Sequence, residues 1–131
     1  FMFSFFKKKD KPEKTEHKIE LSLQEKDSIT EENQQLMAKI ADAKQTEDLA
    51  KLYEKLGLNY AKLEEVDSAI ESLEKSLDYK LSIGDGYKKL MSLYNAKRAE
   101  AARNGDDAGI DKYMNKMDEM RQIAKKVTIS G

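Results

Sequence analysis

The chain has 131 residues, 39% of them hydrophobic and 37% charged, with one Pro, six Gly and no Cys. That length supports one compact core, and the composition favours helix over the turn-rich chemistry of an all-β fold. Lacking Cys, the chain has no disulfides, thiolate nucleophiles or cysteine zinc sites, which fits a reducing, cytoplasmic setting; its 24 Lys and Arg against 25 Asp and Glu create no field that gathers a polyanion, so nucleic acid is excluded as a main ligand.

The first segment, "FMFSFFKKKDKPEKTEHK" at residues 1–18, holds all four phenylalanines and six lysines against three acids. Residues 19–131 are left with 18 basic and 22 acidic side chains, a net charge of −4. Phe1 precedes Met2 and reads as a residue left over from expression, with Met2 as the native start. The apolar run that follows is far shorter than the roughly 20 residues of a spanning helix, and shorter than the apolar part of a signal peptide. Two readings of the segment stay open. It is a flexible tail, or Phe3, Phe5 and Phe6 beside Lys7, Lys8 and Lys9 touch an anionic membrane surface or a second copy of the chain, lysines contributing about 1 kcal/mol each near such a surface.

Residues 19–45 read as an entry segment and a first helix. The alternation Ile19, Leu21, Leu23 suits an extended stretch or a helix entry equally. Thr30, followed by Glu31, Glu32 and Asn33, resembles an N-cap with an acidic first turn, and Leu36, Met37, Ile40 and Ala43 share one face over residues 30–44. Residues 46–128 form the main helical domain. A second helix starts at Thr46, carries Leu49, Leu52, Tyr53, Leu56, Tyr60 and Leu63, and ends near Glu65. Within it Gly57 costs about 1 kcal/mol relative to alanine, so either the helix stops there or another element approaches its backbone; the second is expected. Asp67 is a candidate cap for a third helix with Ala69, Ile70, Leu73, Leu77 and Leu81, closed by "IGDGY" at residues 83–87. A fourth over residues 85–103 aligns Tyr87, Leu90, Met91, Tyr94, Arg98 and Ala101. Asn104 and Gly105 then mark a turn, Asp106 or Asp107 caps, and a fifth helix over residues 108–127 carries Ile110, Tyr113, Met114, Met117, Met120, Ile123, Ala124 and Val127.

Tyr53, Leu56, Gly57 and Tyr60, followed by Ala69, Leu73 and Ser76, match in type and spacing the tetratricopeptide signature, and the chain resembles that helical repeat family. A shift of about 34, the period of that family, carries Tyr53, Leu56 and Tyr60 onto Tyr87, Leu90 and Tyr94. Met91 stands where the glycine was, and Gly109 and Ile110 match Ala69 and Ile70 at a larger separation, so the second hairpin is expected to be longer or more open. The resemblance implies an all-α fold, a right-handed array of antiparallel helical hairpins with about five helices in all. An ordinary antiparallel bundle is the alternative. The resemblance also implies a concave groove lined by the first helix of each hairpin. Its candidate residues are Lys88, Ser92 and Asn95 in the second copy, and Glu54, Leu58 and Ala61, with Lys62 beside them, in the first. A stripe of that kind recognises a peptide backbone through amide and hydroxyl groups while a lysine draws a carboxylate. The first copy lacks the lysine and asparagine pattern that chaperone-binding members use to clamp a terminal carboxylate.

No catalytic constellation stands out. His17 is the single histidine and lies among charges; "GDG" at residues 84–86 lacks the lysine and hydroxyl of a phosphate loop; Asp106 and Asp107 lack the twelve-residue calcium pattern. No enzyme, cofactor or metal is expected. Met114, Met117 and Met120 read as core or as a dimer seam. Two functions follow. The first is a cytoplasmic adaptor or scaffold binding a peptide or protein segment; the second is a self-associating bundle of the bacteriocin-immunity type in a bacterial protein, its tail meeting the membrane.

Overall fold

A computed structural model of the chain describes residues 21–130, and every regular element in it is an α-helix. The order is α1 (Leu23–Asp42), α2 (Thr46–Lys62), α3 (Val66–Tyr79), α4 (Asp85–Arg103) and α5 (Asp107–Ser130). Short connections make successive helices antiparallel neighbours. α1 packs on α2, α2 on α3, α3 on α4 and α4 on α5, and the direct approach of α2 to α4 brings two helices of the same direction side by side.

The start of α1 corrects the expectation that Thr30 caps it. Ser22 Oγ accepts from the Glu25 N–H at 3.1 Å and Glu25 Oε1 accepts from the Ser22 N–H at 2.9 Å. This capping box satisfies two otherwise orphaned donors, and no Pro or Gly interrupts the chain between it and Thr30, so the helix begins a full two turns earlier. Asn33 is therefore mid-helix and buried. Its Oδ1 accepts from Asn59 Nδ2 at 2.9 Å, and the same amide donates to Glu32 Oε1 at 2.7 Å, which fastens α1 to α2.

Helix α2 stops at Lys62, short of residue 65, because Glu64 takes a left-handed conformation with φ 61°. α3 begins at Val66 with Glu65 at its N-cap position; Asp67 sits in the first turn and pairs with Lys97 of α4 at 2.9 Å instead of capping. α3 ends at Tyr79, so Leu81 falls in the connection. α4 has the expected bounds, and Asp106 caps α5 by accepting from the Gly109 N–H at 3.0 Å.

Gly57 does mark a close approach. A Cβ placed on it would stand 2.6 Å from Leu73 Cγ and 3.2 Å from Leu73 N, so α3 presses directly on the backbone of α2. Ala69 and Leu73 are completely buried there, and Ser76 donates to the Ala50 carbonyl at 2.7 Å. The second hairpin is longer than the first: α4 and α5 have 19 and 24 residues, α2 and α3 only 17 and 14. The core joins both hairpins through Leu73, Leu90, Tyr94, Met117 and Met120. Two of the three methionines of α5 thus fill the interior, while Met114 is half exposed.

Candidate binding groove between α2 and α4

Helices α2 and α4 leave an open concavity of about 570 Å³ between them. From α2 it takes Lys55, Leu58, Ala61 and Lys62, and from α4 Asp85, Lys88, Lys89 and Ser92. Both sets follow from helical spacing, since residues three, four and seven apart share a face. The opposite faces of the same helices carry Leu56 and Gly57, and Leu90 and Tyr94, into the core. The buried stripe therefore fixes which polar residues look outward into the groove.

Five of the seven residues expected for a groove, Leu58, Ala61, Lys62, Lys88 and Ser92, line this one concavity, and Asn95 and Glu54 do not. Asn95 is exposed on α4 but does not line it; its Oδ1 accepts from Arg98 Nε at 3.0 Å. Glu54 is turned to another task. Gly84, at the N-cap of α4, offers no side chain, and Glu54 Oε2 accepts from the Gly86 N–H at 2.9 Å, so a carboxylate of α2 caps α4. That pairing also places a negative charge at the positive end of a helix.

Lys55 and Lys89 were missing from the sequence reading. A projection of each helix reveals them, because Lys55 stands one turn before Leu58 and Lys89 one turn before Ser92. Neither Lys55, Lys62, Lys88 nor Lys89 forms an ion pair or hydrogen bond among the described residues. Three lysines outside the groove, Lys80, Lys97 and Lys116, are paired with acids of other helices. Lys80 meets Glu47 at 2.6 Å, and hydrogen bonding to it lowers the Glu47 pKa. Lys97 meets Asp67 at 2.9 Å, and that hydrogen bond raises the Lys97 pKa.

A second cleft, of about 390 Å³, lies where α3, α4 and α5 meet. Leu77, Leu90, Met120 and Ile123 form apolar walls around a polar cluster. The Tyr94 hydroxyl donates to Glu74 Oε2, and Lys116 Nζ donates to the same oxygen at 3.2 Å. Burial, and then the bond to Glu74, push the Tyr94 pKa up. Tyr87 donates to the Met120 carbonyl at 2.9 Å. These groups satisfy one another and tie three helices together.

Phe3, Phe5, Phe6, Lys7, Lys8 and Lys9, along with Ile19, lie outside the described residues. Among the described residues no group of three or more His, Asp or Glu is placed to hold a metal ion, and no helix is long and apolar enough to cross a membrane. No family model matches the chain, and no curated protein or solved structure is significantly similar to it.

Proposed function

We propose that the chain is a non-enzymatic, cytoplasmic interaction module, an adaptor or scaffold that holds a peptide or protein segment in the groove between α2 and α4. The tetratricopeptide resemblance supplies the expectation of such a groove. The observation that carries the reading is the convergence of Lys62, Lys88, Ser92, Leu58 and Ala61, separate in sequence, on one concave surface. Its lining pairs a small apolar floor with hydrogen-bond donors, a combination suited to a backbone and alternating side chains. The groove also lies on a rigid frame, since the opposite faces of both helices are locked in the core.

Selection of a displayed library of random peptides against the intact chain tests this. The expected result is enrichment of peptides whose binding is lost when the groove is filled by the double substitution Ala61→Arg and Ser92→Arg. Failure to enrich any peptide, or enrichment indifferent to the filled groove, overturns it.

A further inference from the structure

Resting on the groove reading, we infer that the segment held between α2 and α4 is acidic and extended, with carboxylates at alternating positions. Four lysines, Lys55, Lys62, Lys88 and Lys89, border the concavity against one carboxylate, that of Asp85. The sign is opposite to that of the surrounding chain, because residues 19–131 carry a net −4. Acids are thus plentiful, yet none is matched to these lysines, while the α2–α3, α3–α4 and α3–α5 junctions each hold a cross-helix ion pair. Glu54, the acid of α2 nearest the start of α4, is committed to the Gly86 N–H. The groove is left with a surplus of positive charge that an acidic ligand neutralises.

Geometry narrows the form of that ligand. Lys55 and Lys62 are seven positions apart on α2, about 10 Å along the helix axis. That span falls between the distances of about 7 Å and about 13 Å that separate same-face side chains two and four positions apart in an extended strand, and within the reach of flexible lysine stems. In such a strand every second side chain points the same way, at intervals of about 7 Å. Carboxylates at alternate positions then reach lysines of both helices while the backbone covers Leu58 and Ala61 and meets the Ser92 hydroxyl. The basic N-terminal segment of this chain is a poor occupant, since residues 1–18 carry six lysines against three acids. Nucleic acid fits less well, because the lining contains no aromatic ring on which a base stacks.

The test uses the intact chain and two fluorescein-labelled peptides of alternating Glu and Thr or alternating Gln and Thr, equal in length, with an oligothymidylate as a third probe. Anisotropy titration at about 50 mM salt is expected to give the Glu peptide at least tenfold tighter binding than the Gln peptide. Tightness is expected to fall several-fold at about 200 mM, where screening shortens the reach of exposed charges. The Lys62→Glu and Lys88→Glu double variant, its helicity checked by circular dichroism, is expected to bind the Glu peptide no better than the Gln peptide. Amide shifts confined to residues 55–62 and 85–92 locate the site. Equal binding of the two peptides overturns the acidic class and leaves the groove reading standing. Shifts elsewhere, indifference to the charge reversal, or equally tight oligothymidylate binding also overturn the inference. If neither peptide binds, the inference fails, while the library selection separately decides whether the groove binds peptides at all.

Discussion

At Gly57 two opposing effects act on one atom. Alanine there would gain about 1 kcal/mol of helix propensity, but its Cβ would fall 2.6 Å from Leu73 Cγ and 2.7 Å from Cδ2. Leu73 has no exposed side into which to retreat, and overpacking a filled core costs about 1–3 kcal/mol. Packing wins. Gly57→Ala is expected to lower stability by about 1 kcal/mol in urea titration, the difference between those two terms; a variant more stable than the parent would show that α3 can stand off without loss. The role of Gly57 was readable in the sequence because a glycine amid apolar helical spacing demands a reason. Asn33 and Asn59 were not readable in that way. Each looks like an ordinary surface amide, and only the fold brings residues 26 positions apart into a buried hydrogen bond.

The two helical hairpins close with the same turn. In the first, Leu63 has ψ 0°, Glu64 has φ 61°, and the Glu64 and Glu65 N–H groups donate to the carbonyls of Ala61 and Tyr60. In the second, Asn104 has ψ 0°, Gly105 has φ 70°, and the Gly105 and Asp106 N–H groups donate to Ala102 and Ala101. The pattern is the left-handed helix termination that glycine suits best, so the glutamate of the first turn holds a conformation that costs a non-glycine residue about 1–2 kcal/mol. Glu64→Gly is expected to stabilise the chain by about 0.5–1 kcal/mol, part of the relief being offset by the freer unfolded chain, and Gly105→Ala to destabilise it by a similar amount. Chemical denaturation of the pair checks both signs; a loss on Glu64→Gly would mean that its side chain does more than tolerate the turn. The asymmetry explains which boundaries were legible. Asn-Gly announces the second turn, whereas nothing in Leu-Glu-Glu announces the first, so helical spacing alone carries α2 past its true end. The start of α1 is obscured for the opposite reason: its Ser-x-x-Glu signal is present but lies before an apolar pattern that becomes regular only later. The unequal length of the hairpins, by contrast, was visible in the wider spacing between Ile70 and Ile110 than between Tyr53 and Tyr87.

What joins the hairpins into one molecule is the region where α3, α4 and α5 converge. Leu73 from the first hairpin packs with Leu90, Tyr94, Met117 and Met120 from the second, so opening that region separates the two units and removes the framework of the groove. Sequence patterning finds these apolar positions, but nothing in the sequence separates Glu74 from the glutamates of exposed helix faces, where acids and lysines pair weakly. The structure instead places Glu74 beneath the Tyr94 hydroxyl and Lys116. This junction makes global stability sensitive to alkaline pH. An unfolded tyrosine ionises near pH 10, whereas burial and the bond to Glu74 keep Tyr94 protonated to higher pH in the folded chain. Below pH 10 both states hold the proton and the contribution is fully present. Above it the unfolded state releases a proton that the folded state retains, so stability falls with a slope approaching about 1.4 kcal/mol per pH unit from this group. Lys97, whose pKa is raised by Asp67, adds loss of the same sign, which makes the comparison with Tyr94→Phe decisive. That variant lacks the titrating hydroxyl, so it is expected to be less stable than the parent at pH 8 but to lose stability less steeply between pH 10 and 11. Parallel curves from urea unfolding across that interval would show that the Tyr94 hydroxyl ionises in the folded chain as readily as in water.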